Sequence, residues 1–330
     1  MESEDEGFGH LIDLSDDGST LVTTSSNVYT IYIYELASSS SLYELLDTKD
    51  YRARQVAVSG DGSIIGFTAE NEGCRVYERL GFGFEQKGIP IDGAWTSVAL
   101  NNDGSIIILG SISDASDSAG SAFVLQWKEA NGSMDWVQMG GEITGDDIEE
   151  DSFGDRETVS ITSDGLIVSI GSGRSADEKG IVRVYYYDES AETWNQRGND
   201  LIGDNTEDSL ARNKISSDGT YLVAGSPDGG YYKIFQWNAV DYEVRSTVSI
   251  GVTYNHGKWV DISANGASVA NGNPSIDNGK GTIYLYETGV PVDYSGDEGS
   301  DSLDDSPAFD SLDYGMTSFV MLAMIPTVLF

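Results

Sequence analysis

The chain has 330 residues, with 55 Asp+Glu against 18 Lys+Arg and a formal net charge of −37. So acidic a surface repels phosphate backbones and anionic lipid heads, which excludes nucleic acid as a partner and electrostatic docking on membranes. Hydrophobic residues at 39% still allow a buried core, and Cys74, the single cysteine, leaves no internal disulfide or cysteine zinc site to build.

In chain order, residues 1–6 form an acidic end without the basic and apolar regions of a signal peptide. From residue 7 one phrase begins to recur: "LSDDGSTLVTT" from Leu14, "VSGDGSIIGFT" from Val58, "LNNDGSIIILG" from Leu100, "ITSDGLIVSIG" from Ile161, "ISSDGTYLVAG" from Ile215 and "ISANGASVANG" from Ile262. Asp-Gly between alternating apolar runs predicts a tight hairpin, with a two-residue type I′ turn as the expected connection. Each hairpin is followed by a third strand: 29–36, 73–80, 120–129, 180–189, 230–239 and 281–288. Aligning these segments places Ile33, Val76, Val124, Val184, Ile234 and Leu285 at one inward site. A fourth strand is clear in "WVQMGGEITGD" (136–146) and "WNQRGNDLIGD" (194–204), and weaker at 41–48, 83–93 and 241–251.

The turn glycines, at 18, 62, 104, 165, 219 and 266, lie 42 to 61 residues apart. One four-stranded propeller blade takes about 40–50 residues, and polar insertions at 111–120 and 145–155 account for the longer intervals. The expected fold is therefore all-β: one β-propeller over 7–291 with six recognisable blades. The sixth blade lacks a clear fourth strand. Either "VPVDY" (290–294) closes the ring, or a further N-terminal piece, upstream of this sequence, does. An acidic, Ser/Gly-rich linker spans 292–315, and an uncharged hydrophobic tail spans 316–330.

The run W-x-Q-x-G-x-x-I-x-G … FG … V-x-I-S-x-D-G … V-x-I-G-S … G-x-V-x-V-Y, from Trp136 to Tyr185, resembles the FG-GAP/integrin-alpha-like propeller repeats of microbial surface proteins. In strand order the chain is also similar to WD40-type propellers. The resemblance implies a non-enzymatic binding or adhesion module at a cell surface. The calcium loop of that family, Asp-x-Asp/Asn-x-Asp-Gly-x-x-Asp, does not occur here.

Several residues invite a functional reading. Eight to ten residues before each turn glycine, Arg52, Arg54, Trp95, Arg156, His256 and Lys258 stand where the chain comes into the innermost strand, with Arg212 and Trp259 one residue later. In a propeller these positions ring one mouth of the central channel. Arg and Trp concentrated there in an acidic protein suit an acidic glycan or an acidic protein, through charge-assisted hydrogen bonds and stacking. The competing explanation is that the arginines tie blade to blade. The loop "GDDIEEDSFGD" gathers Asp146, Asp147, Glu149, Asp151 and Asp155, hard oxygen donors that would suit Ca²⁺ or form a solvated acidic loop. The repeated turn aspartates read as turn formers. Cys74 reads as a small buried hydrophobe.

Two other function classes stay open on sequence alone: an extracellular carbohydrate-active enzyme using loop carboxylates, and an intracellular WD40-like scaffold. The 15-residue tail resembles a GPI-attachment signal, a short membrane anchor or a segment that packs on the propeller.

Overall fold

The computed structural model describes residues 8–25, 27–38, 41–112, 120–145, 153–155, 157–249, 257–273 and 282–288. Over these the chain folds as a six-bladed β-propeller of small antiparallel sheets. Blade 1 comprises Phe8–Leu14, Thr20–Ser25, Thr30–Leu36 and Tyr43–Asp50, paired in chain order from the channel outward. Blade 2 comprises Ala53–Val58, Ile64–Ala69, Gly73–Leu80 and Gly83–Gln86, and blade 3 Ser97–Leu100, Ile106–Ser111, Ser121–Ala130 and Ser133–Gln138. Blade 4 has Val159–Ile161, Ile167–Ser172, Ile181–Asp188 and Thr193–Gln196; blade 5 has Arg212–Ile215, Tyr221–Ser226, Tyr231–Trp237 and Tyr242–Ser249. Blade 6 shows three strands among the described residues: Trp259–Ile262, Ser268–Asn273 and Thr282–Glu287. The linker, the tail and "VPVDY" lie outside the described residues.

All six turn glycines occupy equivalent hairpins between the first and second strands, with φ between 63° and 76°. The turn is not type I′. Only the glycine takes a positive φ; the Asp before it does not. In blade 1, Gly18 N donates to Ser15 O at 2.9 Å and Ser15 N to Thr20 O at 3.0 Å, closing a type I turn that ends in a left-handed glycine. Side chains explain the choice. Asp17 accepts from Ser19 N (2.8 Å) and Ser15 Oγ (2.7 Å), while Ser15 Oγ accepts from Thr20 N (3.0 Å). The pattern recurs with Asp61, Asp103, Asp164 and Asp218, and with Asn265 in blade 6.

Cores form between blades rather than within them. Ile31 and Ile33 of blade 1 pack on Val56, Ile65 and Phe67 of blade 2, and separate clusters join blades 2–3, 3–4, 4–5 and 5–6. The shared inward site is confirmed for five blades, where Ile33, Val76, Val124, Val184 and Ile234 are at most 2% exposed. Leu285 departs from it at 55%, because no described segment covers that side of blade 6. Cys74 is fully buried, and burial pushes its thiol pKa well up, as for an inert hydrophobe.

Candidate functional site at the two ends of the channel

The innermost strands begin at one mouth of the channel and end, at the Asp-Gly turns, near the other. At the first mouth a cavity of about 200 Å³ lies between blades 1 and 2, lined by His10, Thr24, Ser25, Tyr29, Arg52, Ala53, Arg54 and Glu70. Arg52 is spoken for: it pairs with Glu70 at 2.5 Å and lies 5.3 Å from the centre of the Tyr29 ring. Arg54 has no carboxylate partner among the described residues, and no hydrogen bond from it is formed to any of them. Its place in the sequence, two residues past Arg52 at the head of a strand, brings both guanidinium groups to one cavity.

The other proposed mouth residues separate. Arg212 pairs with Glu157 and stands 5.1 Å from the centre of the Trp259 ring, linking blades 4, 5 and 6. Lys258 lies 5.8 Å from the same ring. Trp95 is a core residue, 9% exposed, its Nε1 donating to Ile91 O at 3.0 Å and its ring edge-on to Phe123. Arg156 and His256 lie outside the described residues, as do Asp146, Asp147, Glu149 and Asp151 of the proposed calcium loop. Asp155, which is described, caps a turn through its carbonyl, which accepts from Thr158 Oγ1 at 2.6 Å. Among the described residues no group of three or more His, Cys, Asp or Glu side chains is arranged to hold a metal ion. In the matching loop of the next blade, Asp204 pairs with Lys233 at 2.6 Å, and Asp208 accepts from Asn205 N and Tyr231 Oη. Those carboxylates serve the fold.

A second cavity, of about 120 Å³, sits in the channel itself and touches all six blades. Five residues before each turn glycine stand Asp13, Ala57, Ala99, Ser160, Lys214 and Asp261, and every one of them lines this space. The layer is lopsided. Small side chains face it from blades 2, 3 and 4, and charged ones from blades 5, 6 and 1. Asp13 accepts from Val58 N at 2.7 Å and so ties blade 1 to blade 2, as Ser160 does for blades 4 and 5 through Ile215 N at 3.1 Å. Among the described residues Asp261 accepts only from the neighbouring Ile262 N, at 2.9 Å.

These groups open partly to the lumen yet are ringed by protein, and their titration follows that enclosure. Burial raises the pKa of Asp13 and carries that of Asp261 to about 6, with Lys214 opposing both. Burial alone would lower the Lys214 ammonium, but Asp13, Asp261, Glu157 and Asp16 together hold its pKa above the ordinary value. Sequence reasoning passed over this layer. The available signal was a charge standing at the inner-strand position where other repeats carry Ala or Ser.

No family model matches the chain, and no curated protein matches it. Among solved structures it is similar to a protein from Desulfotomaculum acetoxidans DSM 771, described as functionally unknown: 12% identity over 82% of this chain and 79% of that one, with a TM-score of 0.55. At that identity the likeness is one of fold.

Proposed function

We propose that this propeller is a non-enzymatic binding module that takes an anionic ligand, an acidic glycan or acidic protein segment, at the mouth where its inner strands begin. The observation that carries the reading is Arg54: a guanidinium without a carboxylate partner among the described residues, facing a cavity shared with Arg52 and His10, in a chain of net charge −37. A guanidinium left open beside a second one, where the rest of the chain is acidic, offers an anionic ligand a local point of attraction. The resemblance to FG-GAP/integrin-alpha-like repeats supports a binding or adhesion role of the kind those repeats serve.

A carboxylate or sulfate held by a guanidinium contributes about 1.5–3 kcal/mol when shielded from bulk water. Arg54→Ala should therefore weaken binding to a sulfated or uronic-acid oligosaccharide about tenfold or more, with an unchanged melting temperature. Arg54→Lys should recover only part of it, since a point charge does not reproduce the planar fork. Arg212→Ala should do the opposite, lowering the melting temperature and sparing affinity. Glycan-array binding and thermal melts on the three variants decide the matter; normal binding by Arg54→Ala would reject this site.

A further inference from the structure

Six blades arranged around a channel need six inter-blade junctions, but apolar clusters join only five of them among the described residues. The exception lies between blade 6 and blade 1. Two columns of equivalent third-strand residues make the contrast. Ile33, Val76, Val124, Val184 and Ile234 are 0–2% exposed, and the sixth member, Leu285, is 55% exposed. Two residues earlier, Ile31, Cys74, Ala122, Val182 and Tyr232 are 0–1% exposed, against 36% for Ile283. In blades 1 to 5 each of these side chains is covered by the next blade. Here the next blade is blade 1, and its side of the junction is thinner: Thr23 stands where blade 2 offers Phe67 to its neighbour. On blade 6, Ser268 stands where blades 2 to 5 carry Ile64, Ile106, Ile167 and Tyr221. The open third strand, Thr282–Glu287, is also the outer edge of its sheet among the described residues. An uncovered apolar face beside an unpaired edge is a site for another segment to add on.

We propose that the hydrophobic tail, residues 316–330, covers this face. The described chain stops at Thr288, one residue past that same open strand, so the segment that follows begins within a few residues of the face that needs covering. The 27 residues 289–315 reach up to about 90 Å when extended, far more than the approach requires. They are acidic and Ser/Gly-rich, the composition of a solvated tether, whereas "MTSFVMLAMIPTVLF" has no charge and would itself be costly to leave in water. The tail offers Phe, Val, Leu, Ile and Met side chains, and the face offers Leu285 and Ile283 with small residues around them. Each surface supplies what the other lacks.

The test uses the full chain with a benzophenone photo-crosslinker introduced at position 285. Illumination followed by peptide mapping should place the adduct within 316–330 of the same molecule, in a product that runs as a monomer. An adduct joining two copies would mean that a second molecule fills the gap, and would overturn the proposal. Flotation of the protein with neutral phosphatidylcholine vesicles, with no adduct at 316–330, would overturn it in favour of a membrane-seeking tail. A second variant, with 316–330 deleted, should bind several-fold more of a hydrophobic dye and melt at a lower temperature. Unchanged dye binding and melting would count against the tail as the cover, and if that variant fails to fold, the crosslink on the intact chain still decides.

Discussion

At the scale of single residues, the lopsided channel layer has a measurable consequence. Asp261 titrates near pH 6 in the folded protein and near 3.8 when unfolded. A raised carboxylate pKa means that the folded state holds its proton longer, so between about pH 4 and 6 stability is lost as pH rises. Above that window the full cost of the buried charge is present, eased by Lys214 and increased by Asp13 and Asp16. Asp261→Asn should therefore melt higher than the wild type at pH 7.5, and the difference should shrink toward pH 4; melting curves across that range check both sign and window. The turn carboxylates behave oppositely. Hydrogen bonds from the turn hold Asp17, Asp103 and Asp218 below the ordinary pKa despite partial burial, so their contribution is present above about pH 4 and is lost on further acidification.

At the scale of elements, the propeller repeats two devices. One is the hairpin turn, where Asp218 accepts from Thr220 N, Thr220 Oγ1 and Ser216 Oγ at 2.8, 2.6 and 2.8 Å. Asp218→Ala should cost about 1–2 kcal/mol, read as a shift in a denaturant midpoint with unchanged slope. The other device explains the W-x-Q-x-G phrase. Lys87, Met139 and Arg197 donate backbone N–H to Val76, Val124 and Val184 at 2.7–2.8 Å, and the glycine that follows each passes against a tryptophan that belongs to an aromatic pair of the next blade. The pairs are Trp127–Trp136, Tyr187–Trp194 and Trp237–Tyr242, with ring centres 5.1–5.3 Å apart. Trp194 Nε1 donates to Met139 O at 2.7 Å, and Arg197 stacks over Trp237 at 4.3 Å. A Cβ on Gly140 would stand 2.8 Å from Trp194 Cδ1, at a φ of 74°. Left-handed strain alone costs about 1–2 kcal/mol, so Gly140→Ala should destabilise by about 2 kcal/mol or more, with loss of the tryptophan near-UV signal as the blade 3–4 latch loosens.

At the scale of the whole molecule, a net charge of −37 sets carboxylates against one another across every blade. Described ion pairs such as Arg183–Asp200, at 2.8 Å, engage few of the 55 acidic residues. Salt screens what remains unpaired, with a Debye length near 10 Å at 0.1 M and about 3 Å at 1 M. The melting temperature should rise steadily as NaCl is raised from about 10 mM to about 1 M, measured in one buffer at constant pH. A flat or falling curve would mean that local ion pairs outweigh self-repulsion.

The sequence by itself determined the architecture. Turn chemistry and strand alternation are local, so Asp-Gly or Asn-Gly, two residues after a Ser, Thr or Asn and followed by an apolar run, specifies a hairpin wherever it occurs, and six such phrases specify six sheets. The buried column from Ile33 to Ile234 was legible for the same reason, as was the structural role of the turn aspartates. The turn type differs from the expectation because a dipeptide rule for Asp-Gly ignores the Ser, Thr or Asn three residues before the glycine, whose hydroxyl or amide closes the loop in the other geometry. What only the tertiary structure decided depends on which blade stands next to which. It divided the arginines at the mouth, giving Arg212 a carboxylate from the neighbouring blade and leaving Arg54 facing a cavity. It brought Asp13, Lys214 and Asp261 into one layer across some 250 residues of chain. It also exposed Leu285, whose sequence context matches its buried counterparts. Burial in a propeller is conferred by the adjacent blade, and no repeat carries in its own residues the identity of its neighbour.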